Sequence, residues 1–213
     1  MSHILVIGAS RGIGLEAVNQ GLACGHKVRA LARSADRIRI ANPNLEKRRG
    51  DALDPRDVAK ALDGVDVVIQ ALGVAAGPQM ITGPVRLFSE ATRVLVAAME
   101  KAGVRRLISV TGFGAGDSRS KLGCFQGIGF WLLLGRAYDD KDAQERLIRS
   151  SGLDWIIVRP VILTNGSHSG RYRVLVNRDE WQNGFIARAD VADFLVRQID
   201  DDTYLGKTPV LTY

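Results

Sequence analysis

The chain has 213 residues, 46% of them hydrophobic, with a formal net charge of +6; that length suits one domain with a sizeable core and no need of metal or disulfide support. Cys24 and Cys124 are its two cysteines and form no metal-spaced pair, so no metal site is expected. The positive residues are scattered, densest at Lys47, Arg48 and Arg49, with no sustained basic run carrying aromatics, which argues against nucleic acid as a partner, and the apolar runs at 4–7 and 130–134 are too short for a signal peptide or a membrane span, so a cytoplasmic protein is expected.

Short β-branched runs alternate with helical patterns along the whole chain. Residues 4–7 read as a buried strand and 15–24 as a helix, on which Cys24 is expected as a buried thiol. Strands follow at 28–32 and 45–49, then a short helix at 58–62 and a strand at 66–71. The run 85–102 repeats apolar residues at Leu87, Ala91, Val94, Leu95, Ala98 and Met99, close to helical spacing. A fifth strand covers 107–110. A helix over 139–151 ends at Gly152, a sixth strand over 155–158 stops at Pro160, a helix over 191–199 takes Asp190 as its N-cap, and 208–212 closes the series.

Repeated strand–helix–strand units imply a parallel sheet of about seven strands with helices on both faces, in one domain over 1–213. Three irregular stretches follow the C-terminal ends of strands: 73–84, 112–135 and 164–170. Ligands bind at that edge of an open α/β sheet, so these are expected to be substrate or lid loops. The stretch 112–135 holds Phe113, Phe125, Phe130 and Trp131 and suits an apolar lid; a partner-binding or membrane-touching flap is its other reading.

The first strand runs into Gly8-Ala-Ser-Arg-Gly-Ile-Gly14. Gly8 allows a sharp turn, Gly12 a close approach of backbone to a pyrophosphate, and Gly14 tight packing of helix on strand. The helix N-terminus then offers free N–H groups and partial positive charge to phosphates. In this context the turn marks a Rossmann-type, doubly wound α/β fold. Gly8, Ser10, Arg11, Gly12, Ile13 and Gly14 are the candidate cofactor-binding residues here. The second strand ends on Arg33, where an acid would select NAD and an arginine fits the 2′-phosphate of NADP. NADP is therefore the expected cofactor, with NAD less favoured, and Arg11 adds a second positive charge.

Taken together, these residues resemble the short-chain dehydrogenase/reductase superfamily. Residues 50–54, 67–73, 103–111, 151–160 and 186–192 resemble its atypical branch, the NAD(P)H-binding proteins similar to biliverdin-IXβ/flavin reductase and the NmrA-like proteins. The resemblance covers essentially the whole chain. It implies that Asp51 and Ala52 lie beside the adenine, that Ala71, Leu72 and Gly73 line the ribose and pyrophosphate, and that Thr111, Pro160 and Val161 sit near the nicotinamide.

Ordinary members of that superfamily use Tyr-x-x-x-Lys as acid–base pair. This chain has Tyr138-Asp-Asp-Lys141, one residue short, with Tyr138 at the expected helix start; the spacing argues against Tyr138 as the acid. Lys141 is the stronger candidate, with Glu145 one turn on as a possible partner. Lys141, Thr111 and Tyr138 are the candidate catalytic residues, and His168 is another conceivable donor. A site without a fixed acid suits a conjugated acceptor, which delocalises charge and takes its proton from solvent. The resulting expectation is an NADPH-dependent oxidoreductase acting on a small flavin, tetrapyrrole or quinone type of molecule, as a monomer or weak homodimer. A non-catalytic NADP(H)-binding redox sensor of the NmrA-like kind is the alternative. An epimerase or dehydratase is disfavoured by the short stretch after the sixth strand.

Overall fold

The computed structural model describes residues 1–73, 86–121 and 124–213, with 121 and 124–134 as backbone only. The expected loop at 74–84 lies outside the described residues, as do the side chains of Phe125, Phe130 and Trp131. The described elements are β1 (His3–Ile7), α1 (Gly12–Ala23), β2 (Lys27–Ala32), β3 (Leu45–Arg49), α2 (Pro55–Ala61), β4 (Val67–Gln70) and α3 (Leu87–Ala102). They continue as β5 (Arg106–Val110), α4 (Cys124–Arg149), β6 (Asp154–Pro160), β7 (Ile162–Thr164), β8 (Arg173–Leu175), β9 (Phe185–Ala187), α5 (Arg188–Arg197) and β10 (Val210–Thr212).

Among the described residues the main sheet has eight strands in the order β3-β2-β1-β4-β5-β6-β10-β8. The seven strands expected from sequence are its seven parallel members. The eighth, β8, pairs antiparallel with β10, Val174 opposite Leu211. It is three residues long, too short to carry a periodic signal. A separate pair, β7 and β9, sets Leu163 against Ile186.

The parallel strands inside the sheet are covered on both faces and largely apolar on both, whereas the edge strand β3, Leu-Glu-Lys-Arg-Arg, is polar and partly exposed. In β1, Ile4 and Val6 face α1 and α5, where Val18, Val191 and Leu195 complete one core. Leu5 and Ile7 face α2, α3 and α4, where Val58, Leu95, Met99 and Ile148 complete the other. Asp54 caps α2 by accepting from the Arg56 backbone N–H at 2.8 Å, and Pro55 follows at a position where its missing N–H costs nothing. The start of α3 is capped from another helix: Asp140 of α4 accepts from the Phe88 N–H at 2.8 Å. That bond locks α4 against α3 and so fixes the neighbouring Lys141.

Three local expectations are corrected. The helix expected over 139–151 begins at Cys124, so half of the expected 112–135 lid is helix and Tyr138 lies well inside it. Gly127, Gly129 and Gly135 fall in that part, and each lowers helix propensity by about 1 kcal/mol relative to alanine, which hid the helix from its pattern. Asp190 is not an N-cap; α5 starts two residues earlier and Asp190 is fully buried in its first turn. Cys24 is exposed at the C-terminal end of α1.

Candidate functional site

The glycine turn has the geometry its sequence demands. Gly8 takes φ +86°, and a side chain there would stand 2.5 Å from the Ala71 carbonyl oxygen at the end of β4. A side chain on Gly14 would stand 2.2 Å from the Gly8 carbonyl oxygen. The turn is therefore pressed against β4, and α1 against the turn. Gly12 has φ +58° and opens outward, with Arg188 alone among the described residues reaching within 4 Å of where its Cβ would be. No side chain caps α1 and no acid occupies its first turn. Among the described residues the first N–H groups of α1 thus meet no capping carboxylate and form the donor set an anionic phosphate requires.

From this turn a cleft of about 1090 Å³ runs across the C-terminal ends of β1, β2, β4, β5 and β6. That is the upper end of the usual ligand-site range of about 300–1,000 Å³, a size suited to an extended dinucleotide. Of the residues expected to bind a cofactor, Gly8, Ser10, Arg11, Gly12, Ile13, Arg33, Asp51, Ala52, Ala71, Leu72, Gly73, Thr111, Lys141 and Pro160 line it. Two do not. Gly14 packs beneath the turn, and Val161 belongs to the core.

At one end Arg33, Ser34 and Arg37 stand together. Both arginines are exposed, and Asp36 between them is not part of the wall. Arg37 was not expected; it reaches the site because a 3₁₀ turn at Ala35–Arg37 folds it back one turn after Arg33. Asp51 also lines this end and accepts from the Leu53 N–H at 3.0 Å.

At the other end Tyr138 and Lys141 converge despite their short spacing. A side chain begun on Gly112 would lie 3.1 Å from Tyr138 Oη and 3.3 Å from Lys141 Nζ. Residues i and i+3 of a helix are neighbours, and β5 delivers Gly112 between them. Lys141 Nζ donates to the Thr111 carbonyl at 2.5 Å and sits over the rings of Tyr138 and Phe88 at 5.1 and 5.2 Å. Desolvation lowers the Lys141 ammonium to about 8, partly opposed by the charge of Glu145. Burial pushes the Tyr138 phenol up to about 12.

The Thr111 hydroxyl does not face the reaction end. It donates to Glu145 Oε1 at 2.9 Å. Glu145 in turn takes Arg159 Nε and Nη2 at 2.9 and 2.6 Å, both side chains being almost wholly buried. The expected pairing of Glu145 with Lys141 is thus replaced by a two-pronged pairing with β6. Arg159 also meets Asp117 at 2.6 Å and lies 5.2 Å from the centre of the Trp181 ring. Burial works against its charge, but Glu145 and Asp117 more than offset that and hold it above the ordinary arginine value. The signal for this cluster was an arginine inside the apolar run Ile156-Ile-Val-Arg-Pro160.

The stretch 164–170 is tied down rather than free. Buried Asp190 accepts from the Ser169 and Gly170 N–H groups, both at 2.8 Å, and from Tyr213 Oη at 2.6 Å. His168 lies 3.4 Å from Asp193 and is not part of the cleft wall. Phe113, expected in the lid, is 3% exposed in the core; Leu87 and Phe88 supply the apolar wall instead. Among the described residues no helix is long and apolar enough to cross a membrane.

Comparison with known proteins bears on what such a cleft holds. A family model described as NAD(P)H-binding matches residues 8–202. The chloroplastic protein TIC 62 of Oryza sativa subsp. japonica is 27% identical over 90% of this chain and 42% of its own length. Photosystem II assembly factor Ycf39 of Synechocystis sp. is 24% identical over 97% of this chain and 61% of its own length. The chain spans about half the length of these curated relatives. Among solved structures, ChuY, an anaerobillin reductase from Escherichia coli O157:H7, is 28% identical with a TM-score of 0.82, covering 99% of this chain and 97% of that one.

Proposed function

Because this chain belongs to the NAD(P)H-binding family, whose model spans residues 8–202, we propose that it is an NADPH-dependent oxidoreductase that reduces a small conjugated acceptor of the flavin, tetrapyrrole or quinone type. The observation that carries this reading is the meeting of Tyr138 Oη and Lys141 Nζ at Gly112, in the same cleft as the glycine turn and at the far end from Arg33. A nicotinamide cofactor, when bound, supplies the hydride. The chain's own residues bind and orient. The glycine turn and the start of α1 would take the pyrophosphate, and Arg33 with Arg37 the 2′-phosphate, which favours NADPH over NADH.

Lys141 presents a cation whose position is set by the Thr111 carbonyl. Tyr138 remains a neutral hydroxyl through the physiological range. A donor so far above working pH is a weak general acid. That supports an acceptor able to spread the incoming charge and draw its proton from water, rather than a simple ketone. ChuY, 28% identical, is an anaerobillin reductase, which puts bilins first among the acceptors to assay.

The test is NADPH oxidation by the purified protein with biliverdin, FMN and a simple quinone, alongside NADPH binding by fluorescence. Turnover with one acceptor class supports the proposal and identifies the class. Binding without oxidation across the panel sinks it in favour of a second reading, a cofactor-state sensor. That reading draws on Ycf39, an assembly factor matched over 97% of this chain, and on the committed hydroxyl of Thr111.

A further inference from the structure

Arg188 opens α5, half-buried, and lines the cleft beside the start of α1. Its Nε lies 3.9 Å and its Cδ 4.0 Å from where a side chain on Gly12 would begin. Its Nη1 donates to the Thr164 carbonyl at 3.1 Å and to Asn165 Oδ1 at 2.7 Å. Both acceptors are neutral. Among the described residues no carboxylate pairs with this guanidinium, and Asp190, two positions on, is turned inward onto Ser169, Gly170 and Tyr213.

A partly buried guanidinium has five N–H donors in a rigid fork, and its charge is costly to desolvate without an anion. Here one prong is spent on fixing the group, and the Nε edge is left toward the glycine turn. Across the gap stand the first N–H groups of α1, also without a negative partner. Two donor sets therefore meet beside Gly12, both lining the same cleft. We infer that Arg188 is a pyrophosphate-binding residue, clamping the bridging phosphates of a dinucleotide from the α5 side against the α1 turn. The inference rests on the dinucleotide reading above. It assigns Arg188 a task separate from Arg33 and Arg37, which lie at the adenosine end. It also links the stretch 164–170 to the cofactor, because the same guanidinium holds Thr164 and Asn165.

The experiment titrates wild type, Arg188→Met, Arg188→Lys and Asn165→Ala with NADPH, NADH and 2′-AMP, and records each melting temperature. Charge-assisted hydrogen bonds to phosphate predict that Arg188→Met weakens NADPH and NADH alike by about tenfold to a hundredfold. Binding of 2′-AMP, which lacks the pyrophosphate, stays at the wild-type level. Arg188→Lys keeps the charge but loses the fork, and falls between. Asn165→Ala, which removes one of the two acceptors fixing the guanidinium, weakens both dinucleotides by less than Arg188→Met does. Unchanged dinucleotide affinity in Arg188→Met overturns the inference while the cofactor reading stands. Equal loss of 2′-AMP with a lowered melting temperature overturns it by making the role structural. Wild type that binds neither dinucleotide overturns the cofactor reading itself, and this inference with it.

Discussion

The two ends of the cleft are built in different ways. The proposed phosphate end is a continuous stretch, Gly8 to Gly14, whose shape lies in the backbone and in the absence of Cβ atoms. The reaction end is an assembly: Thr111 follows β5, Tyr138, Lys141 and Glu145 come from α4, Arg159 comes from β6, and Asp117 from the segment between. A contiguous backbone site depends on little beyond its own strand and helix. An assembled site depends on the helix that carries it, and α4 is held by buried polar bonds: Asp140 to α3 and Glu145 to Arg159. Damage to those bonds should reach the reaction end and spare the phosphate end.

The largest effect follows from removing Glu145. Arg159 has no exposed surface and, among the described residues, would keep Asp117 alone as a counter-charge. Breaking one side of a buried ion pair costs about 3–5 kcal/mol, so Glu145→Ala should lose about that much stability in urea unfolding. A loss below about 1 kcal/mol, the range of an exposed pair, would mean that the cluster does not hold α4 to β6.

Gly14→Ala tests the other end. Its new Cβ would fall 2.2 Å from the Gly8 carbonyl oxygen, so α1 must shift, at an overpacking cost of about 1–3 kcal/mol. Dinucleotide affinity should fall at least about tenfold, for NADPH and NADH equally; wild-type affinity would show that the turn tolerates displacement. Arg33→Asp should discriminate instead, weakening NADPH about tenfold to a hundredfold more than NADH. Equal loss of both would remove Arg33 from the 2′-phosphate.

The same contrast explains what could be read from sequence. Six of the seven parallel strands were legible as apolar runs closed by glycine, proline or polar residues, while the polar edge strand β3 was legible mainly from its place in the alternation of strands and helices. The glycine turn was legible because its residues are adjacent and each glycine has a local reason. Arg37 and Arg188 were not, since one depends on a 3₁₀ turn and the other on a helix packed beside α1 from far along the chain. At Tyr138 and Lys141 the spacing marked a departure from the usual pair; that the two nonetheless meet at Gly112 follows from i, i+3 adjacency on α4 together with where β5 delivers Gly112. Glu145 was paired with its helical neighbour by the local rule, whereas tertiary packing gave it Arg159.

Within the reaction end the comparison sharpens to two side chains. Lys141 titrates near 8 in the folded chain against an ordinary 10.5. Between those values the unfolded chain binds more protons, so this group makes stability rise as pH increases from about 8 to 10.5. Lys141→Met removes that rise. It should also reduce turnover, and any activity that needs the ammonium should decline in wild type as pH climbs through about 8. A pH profile identical in wild type and Lys141→Met would take the ammonium out of the reaction.

Tyr138→Phe should have the smallest effect. Its phenol, held up to about 12 by burial, is poorly matched to proton transfer near neutrality, where general acids contribute about a hundredfold or more. Removing it from an enzyme that reduces a conjugated acceptor should therefore cost less than about tenfold in kcat, well short of a general acid's contribution, with KM for the acceptor absorbing the rest. If turnover instead collapses while NADPH affinity holds, the hydroxyl is the obligatory proton donor. The short Tyr138–Lys141 spacing would then be a working variant of the usual pair, and the acceptor would be a localised carbonyl, because only a localised developing charge demands a donor fixed at one point.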